Sequence, residues 1–152
     1  MYHLELKQLH ADNAVSEALR TIETICDEYR LEEQFGILSL SVTEILTQII
    51  THSTDGSPEI NISFFIDNRL VTIHIQSDES MSQLAEQFQD ALSPALENSL
   101  YAILGLADQV TFKEDENEVI LEYFLRPQPA APVTERAEKI TEQEQVVYKQ
   151  MD

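Results

Sequence analysis

Apolar and polar residues alternate in three stretches of the chain, 2–9, 60–66 and 71–76. Successive side chains of a strand point to opposite faces of a sheet, so this period of two is typical of a strand with one buried face. The second and third stretches are joined by Asp67-Asn68, two residues that are common in turns. The pattern therefore predicts a strand at the start of the chain and a hairpin near its middle.

The stretch 37–53 has a different period, with apolar residues recurring at steps of three and four. At 3.6 residues per turn these steps place the apolar side chains in one stripe along a helix. The stripe consists of Leu38, Val42, Ile45, Leu46, Ile49 and Ile50. This segment is predicted to be the central helix, packed on a core through that stripe.

Further helices and a second hairpin are predicted on either side. A helix is expected to begin at Asp12 or Asn13 as N-cap and to end near Leu31. Its expected apolar stripe is Val15, Leu19, Ile22, Ile25, Cys26 and Tyr29. Helices are also predicted over 81–92 and about 95–107, interrupted by Ser93-Pro94. Strands over 109–113 and 119–125, joined by a polar turn, predict a closing hairpin.

One edge of the central helix carries polar side chains at helical spacing. Ser41, Glu44, Gln48 and His52 lie three or four residues apart, so they form a row beside the apolar stripe. Spacing alone favours an ordinary amphipathic helix whose polar flank meets water. The alternative is that the row lines a pocket.

The pattern Glu44-x-x-x-Gln48-x-x-x-His52 in an apolar helix resembles the N-box of histidine-kinase-like (GHKL) ATPases, in particular the small anti-sigma-factor serine kinases of bacterial partner switching. The family has Asn where this chain has Gln48. The predicted order of elements over residues 2–125 is also similar to that of the family. The resemblance implies an α/β fold of the two-layer α+β sandwich type, with helices on one face of a mixed, mostly antiparallel sheet.

The other nucleotide motifs of the family are degenerate here. In the family, the strand that corresponds to 71–76 runs into Asp-x-Gly-x-Gly, whose Asp reads adenine and whose glycines admit the nucleotide. Ser77 stands at the Asp position and Glu79 at the first glycine, while a shift of one residue places Asp78 and Ser80 there instead. Ser99 lies in the segment that resembles the family's approach to the phosphate-binding helix, with the glycines replaced.

The resemblance leaves two functions open. In one, the chain is an ATP-binding, magnesium-dependent serine/threonine kinase of the anti-sigma type. Glu44 would then orient the attacking hydroxyl, Gln48 would coordinate magnesium, and Ser77 or Asp78 would recognise adenine.

In the other, the chain is a regulatory protein-binding module that has no catalytic residue and no cofactor. The degenerate nucleotide pocket would then consist of Glu44, Gln48, His52, Ser77, Asp78, Glu79 and Ser99. No glycine occurs from 57 to 104 and no Lys or Arg from 70 to 112. We favour this function because a triphosphate needs backbone amides and cations around it.

Composition narrows the choice of partner. The 152 residues have a formal net charge of -19, which repels phosphate groups, so nucleic acid and anionic membranes are not expected as partners. Another protein or a second copy is expected instead.

The four histidines and Cys26 show no metal-ligand spacing, and one cysteine cannot form an internal disulfide. The N-terminus has no signal pattern and no long uninterrupted apolar run occurs, so a cytoplasmic location is expected.

The composition changes near residue 126, which divides the chain into a GHKL-like domain over 1–126, a Pro-rich linker over 127–133 and an amphipathic helix over 134–152. The helix has a narrow apolar seam of Ala137, Ile140, Val147 and Met151. A lone helix of this length is marginal in water. The tail is therefore either a frayed polar extension or a partner-binding helix that docks on its own domain or on another chain.

We expect the tail to become helical only where its seam is covered. Replacing Ile140 and Val147 by Asp should then lower the helical circular dichroism of the full chain, or reduce its mass in light scattering if the seam joins two copies. The control, Thr134→Asp with Gln145→Asp, adds the same charge off the seam. Equal spectra and equal masses for the two variants would show that the tail is a passive extension.

Overall fold

A computed structural model of the chain describes residues 2–54, 56–90 and 106–125, and for 87–90 it describes the backbone alone. The strands are β1 (Tyr2–Leu9), β2 (Ile60–Ile66), β3 (Leu70–Ser77), β4 (Gln109–Lys113) and β5 (Glu118–Phe124). The helices are α1 (Ala14–Glu28), α2 (Phe35–Thr51) and α3 (Ser82–Asp90). Short 3₁₀ turns at Glu32–Gln34 and Glu114–Glu116 precede α2 and β5. The predicted helix over 95–107 lies largely outside the described residues, and Ser99, the linker and the tail lie wholly outside them.

The five strands form one sheet in the order β1-β2-β3-β5-β4. Each neighbouring pair is antiparallel, so the parallel component of the expected mixed sheet does not occur among the described strands. β3 lies at the centre, where Ile73 is opposite Phe64 on one side and Leu121 on the other. The predicted fold class, α+β with helices and a mostly antiparallel sheet, is confirmed.

The core lies on one face of this sheet. Alternate residues of β2, β3 and β5 are buried, among them Ile62, Ile73 and Leu121. They form one apolar cluster with residues of the helices, including Ile22 of α1 and Ile45 of α2. α1 and α2 pack side by side, as their short connection predicts.

The buried stripe of α1 differs from the predicted one. Ala14 and Ala18 are fully buried, whereas Val15 and Leu19 are half-buried and Tyr29 is 39% exposed. The prediction counted only the larger apolar residues, but small side chains allow a helix to approach its neighbours closely. Asn13 does precede the helix, yet its Oδ1 accepts a hydrogen bond from His10 N at 2.8 Å rather than from the first turn of α1.

Five of the six predicted stripe residues of α2 are buried, and Ile50 is half-buried. The helix ends at Thr51, two residues before the end of the predicted stretch, with His52 N still donating to Gln48 O. With the preceding turn, the helical segment Glu32–Thr51 is long and apolar enough to cross a membrane by length and composition alone. Polar residues such as Ser41 and Glu44 interrupt the segment, so it is not an uninterrupted apolar run. Core helices of soluble proteins share it, and the stripe of α2 belongs to the core.

Cys26 lies in the core at 2% exposure. Burial, with a smaller contribution from the negative charge of Glu32, raises the pKa of its thiol to about 11. The neutral thiol therefore persists in the folded chain at physiological pH, as expected for a structural rather than a reactive cysteine.

The two sides of α2 allow a matched test of the core. Leu46 is fully buried and Leu40 is 54% exposed, so Leu46→Ala should lower the free energy of unfolding by about 3–5 kcal/mol and Leu40→Ala by less than about 1 kcal/mol. Chemical denaturation monitored by circular dichroism measures both. Similar losses for the two variants would contradict the orientation of α2.

Candidate functional site

The C-terminal end of α2 meets the end of β3 around a small cavity. Its polar lining comes from Gln48, His52, Ser53, Ser77, Glu79, Ser80 and Gln83. Ile49, Met81 and Leu84 contribute the main apolar surface. The cavity measures about 20 Å³, which is room for about one water molecule and far below the roughly 300–1,000 Å³ of typical small-molecule sites.

The polar row of α2 forms a hydrogen-bonded chain along the helix edge. Gln48 Nε2 donates to Glu44 Oε2 at 2.8 Å, and Gln48 Oε1 lies 3.1 Å from His52 Nε2. An amide oxygen can only accept, so His52 must donate through Nε2. Ser41 is not part of this chain, because its hydroxyl donates to Ile37 O at 2.8 Å within the helix.

Glu79 connects the two sides of the cavity. Its Oε2 accepts from Ser53 Oγ at 2.8 Å, and its Oε1 accepts from Thr54 N at 3.0 Å and from Thr54 Oγ1 at 3.3 Å. Ser77, which is 5% exposed, supports this arrangement by accepting from Glu79 N through Oγ at 3.1 Å. One carboxylate thus fastens the segment after β3 to the segment after α2.

Asp78 is bonded to the residue that precedes β2. Its Oδ1 accepts from Glu59 N at 3.0 Å, and its own N–H donates to Glu59 O at 3.1 Å. These bonds prolong the pairing of β2 with β3 by one residue. Asp78 is exposed and does not line the cavity.

The structure therefore brings together only part of the expected pocket. Gln48, His52, Ser77 and Glu79 line one cavity, and Glu44 is joined to it through its bond to Gln48. Asp78 lies outside the lining, and Ser99 lies outside the described residues. The small size of the cavity and the bonds of Glu79 were not foreseen, because they depend on contacts between residues 25 and 26 positions apart.

Three observations of the described residues bear on the binding of magnesium ATP. Glu79 places a carboxylate, already bonded to Ser53 and Thr54, at the position where the family has its first glycine. Gln48 would bind a cation through Oε1, which here accepts a hydrogen bond from His52 Nε2. Among the described residues, no group of three His, Cys, Asp or Glu side chains is placed to hold a metal ion.

A second group of side chains lies on the sheet face opposite the core. The rings of His3 and Phe65 stack at 4.3 Å between centroids, and the ring of His74 meets Phe65 edge-on at 5.1 Å. His74 Nδ1 lies 3.0 Å from Glu118 Oε2, within hydrogen-bond distance. The sequence signal was Phe65 itself, an aromatic residue at a polar position of an alternating strand.

Comparison with protein-family models and with curated proteins gave no match to this chain. The likeness to histidine-kinase-like ATPases therefore depends on the residues and the order of elements described above.

The bonds of Glu79 should stabilise the fold measurably. Glu79→Ala is expected to lower the free energy of unfolding by about 1–2 kcal/mol, because it removes charge-assisted hydrogen bonds at a half-buried position. Glu23→Ala removes the same charge at an exposed position of α1 and should change stability by less than about 0.5 kcal/mol. Urea denaturation compares them, and an equal effect would show that the contacts of Glu79 contribute nothing.

Proposed function

We propose that this chain is a non-catalytic regulatory module that binds a protein partner. It would be a degenerate histidine-kinase-like domain of the anti-sigma-factor type that has lost ATP binding. The observation that carries the proposal is the carboxylate of Glu79, bonded to Ser53 and Thr54 at a position that the resemblance assigns to a glycine.

Charge supports the loss of nucleotide binding. ATP carries roughly four negative charges, and each unscreened like-charge contact near 4 Å costs about 1–4 kcal/mol at the dielectric of water or of a protein surface. Magnesium offsets only part of this repulsion. The chain has no Lys or Arg from 70 to 112 to offset the rest.

Hydrogen bonding gives independent support. Admitting a nucleotide would require Glu79 to leave Ser53 and Thr54 and would require Gln48 to turn away from His52. Each partly buried polar group left without a partner costs on the order of 1–3 kcal/mol. A ligand must regain that free energy before it gains any affinity.

The net charge supports the proposed class of partner. A chain with net charge -19 is suited to basic or neutral protein surfaces and unsuited to nucleic acid or anionic membranes. The proposed setting is the cytoplasm, and the proposed partner is another protein or a second copy.

The alternative function is an ATP-binding serine/threonine kinase of the anti-sigma type. The meeting of Gln48, His52 and Ser77 at one cavity, with Glu44 bonded to Gln48, favours it. In that function Glu44 would orient the attacking hydroxyl and ATP with magnesium would be required.

Titration of the full chain with labelled ATP and magnesium separates the two functions. We expect a Kd weaker than about 1 mM, since the affinity left after these costs is small. A micromolar Kd that is abolished by Glu44→Ala or Gln48→Ala, and retained by the exposed neighbour variant Thr47→Ala, would overturn the proposal and establish the kinase function.

A further inference from the structure

β1 lies at an edge of the sheet, where it pairs with β2 and with no other described strand. The backbone N–H and C=O groups of an edge strand that point away from its neighbour form a template for a further strand. Irregular backbone protects the end of β1, because Gln8 has a φ of 59° and the register with β2 shifts between Leu6 and Leu9. Residues 2–6 pair with β2 in unbroken register and form the regular part of this edge.

The core-side residues of β1 are only half covered by the described residues. They lie opposite buried residues of β2, in the pairs Tyr2–Ile66, Leu4–Phe64 and Leu6–Ile62. The β2 members of these pairs are 0–3% exposed, whereas the β1 members are half-buried. The ring of Tyr29, which is 39% exposed, lies 5.1 Å from that of Tyr2 and extends this apolar row onto the end of α1. A strand added beside β1 would bring side chains against the row.

The sequence of β1 complements itself in one antiparallel register. A two-fold axis through Leu4 places this residue opposite its own copy. The same axis sets up two further pairs, Tyr2 with Leu6 and His3 with Glu5 of the second copy. Every core-side pair is then apolar, and each outer pair joins an imidazole N–H to a carboxylate that can accept it.

The neighbouring registers fit less well. An axis through Glu5 places two carboxylates directly opposite each other and sets His3 opposite Lys7. An axis through Leu6 brings Gln8, with its φ of 59°, into the paired segment. An axis through His3 shortens the paired part of β1 from 2–6 to 2–4. Charge and backbone regularity therefore select the axis through Leu4.

The net charge of -19 opposes the association of two copies, but β1 adds nothing to it. Residues 2–9 contain one carboxylate, Glu5, and one ammonium group, Lys7. Repulsion between exposed charges more than about 8 Å apart is largely screened at physiological salt. Within one chain Glu5 lies 3.5 Å from His3 and from Lys7, and such exposed pairs are weak, so they compete little with a pair across the axis.

We propose that β1 binds β1 of a second copy in an antiparallel pair about a two-fold axis at Leu4, which joins the two sheets into one. This inference rests on the proposed protein-binding function and assigns it a partner and a surface. A chain that stays monomeric would overturn it and leave binding to another protein intact. Tight ATP binding would instead remove the proposed function itself.

Cross-linking tests the register. Residues directly opposite in an antiparallel pair have Cα atoms about 4.5–5.5 Å apart, which suits a disulfide, so Leu4→Cys should give a covalent dimer under mild oxidation. Leu6→Cys is the matched control on the same face, since its two copies would lie about 14 Å apart at strand spacing. Cys26 is 2% exposed and should add little background. Equal cross-linking of the two variants, or cross-linking of Leu6→Cys alone, would overturn the register.

Charge exchange tests the outer pair, with the mass of the full chain measured by light scattering over a range of concentrations. Glu5→Lys should weaken the dimer by about tenfold, because it places the new lysine opposite His3. Adding His3→Glu restores opposite charges and should recover most of the affinity. Glu23→Lys changes the net charge equally at an exposed position of α1 and should not weaken the dimer.

Amide exchange of the unmodified chain provides a readout that does not depend on the folding of variants. Exchange within residues 2–6 should slow as the protein concentration rises. A monomeric mass at every concentration, slowing confined to other elements, or equal weakening by Glu23→Lys would overturn the proposal. A dimer that is lost on replacing Ile140 and Val147 and kept in Glu5→Lys would place the contact in the tail and also overturn it.

Discussion

The packing of one helix on one sheet face sets the arrangement of this protein. Leu38, Val42, Ile45, Leu46 and Ile49 of α2 are 0–7% exposed and join the inward residues of β2, β3 and β5 in a single core. Each such side chain contributes about 1.5–3 kcal/mol when removed from water. A rotation of α2 about its axis would exchange several of these residues for polar ones, so the core fixes the rotation.

The fixed rotation in turn determines where the polar edge of α2 lies. Gln48 and His52 sit beside the stripe and reach the end of β3, where Ser77 and Glu79 complete the lining. The row is neither a solvent-facing flank nor the wall of a large pocket. Its side chains are hydrogen-bonded to one another and border a small cavity. Glu79 connects the two sides of that cavity through its bonds to Ser53 and Thr54.

Sequence periodicity was sufficient for the elements of the fold and insufficient for the site. Alternation and helical spacing gave each described strand and helix, because both periods follow directly from backbone geometry. The burial of Ala14 and Ala18 was not predicted, because small side chains contribute little to a hydrophobic pattern. The bonds of Glu79 to Ser53 and Thr54 join residues distant in sequence, and the cluster of His3, Phe65 and His74 needs the register of three strands. Neither set of contacts produces a periodic pattern in the sequence.

The tether formed by Glu79 also has a dynamic consequence. The Thr54 amide belongs to an exposed residue but donates to a carboxylate that is anchored at the end of β3. Exchange of that amide requires its hydrogen bond to Glu79 to break, and the two sides of the cavity separate only when the bond from Ser53 is lost as well. Opening of the cavity therefore includes release of this amide, so hydrogen exchange at Thr54 gives a lower limit to the free energy of opening without any ligand.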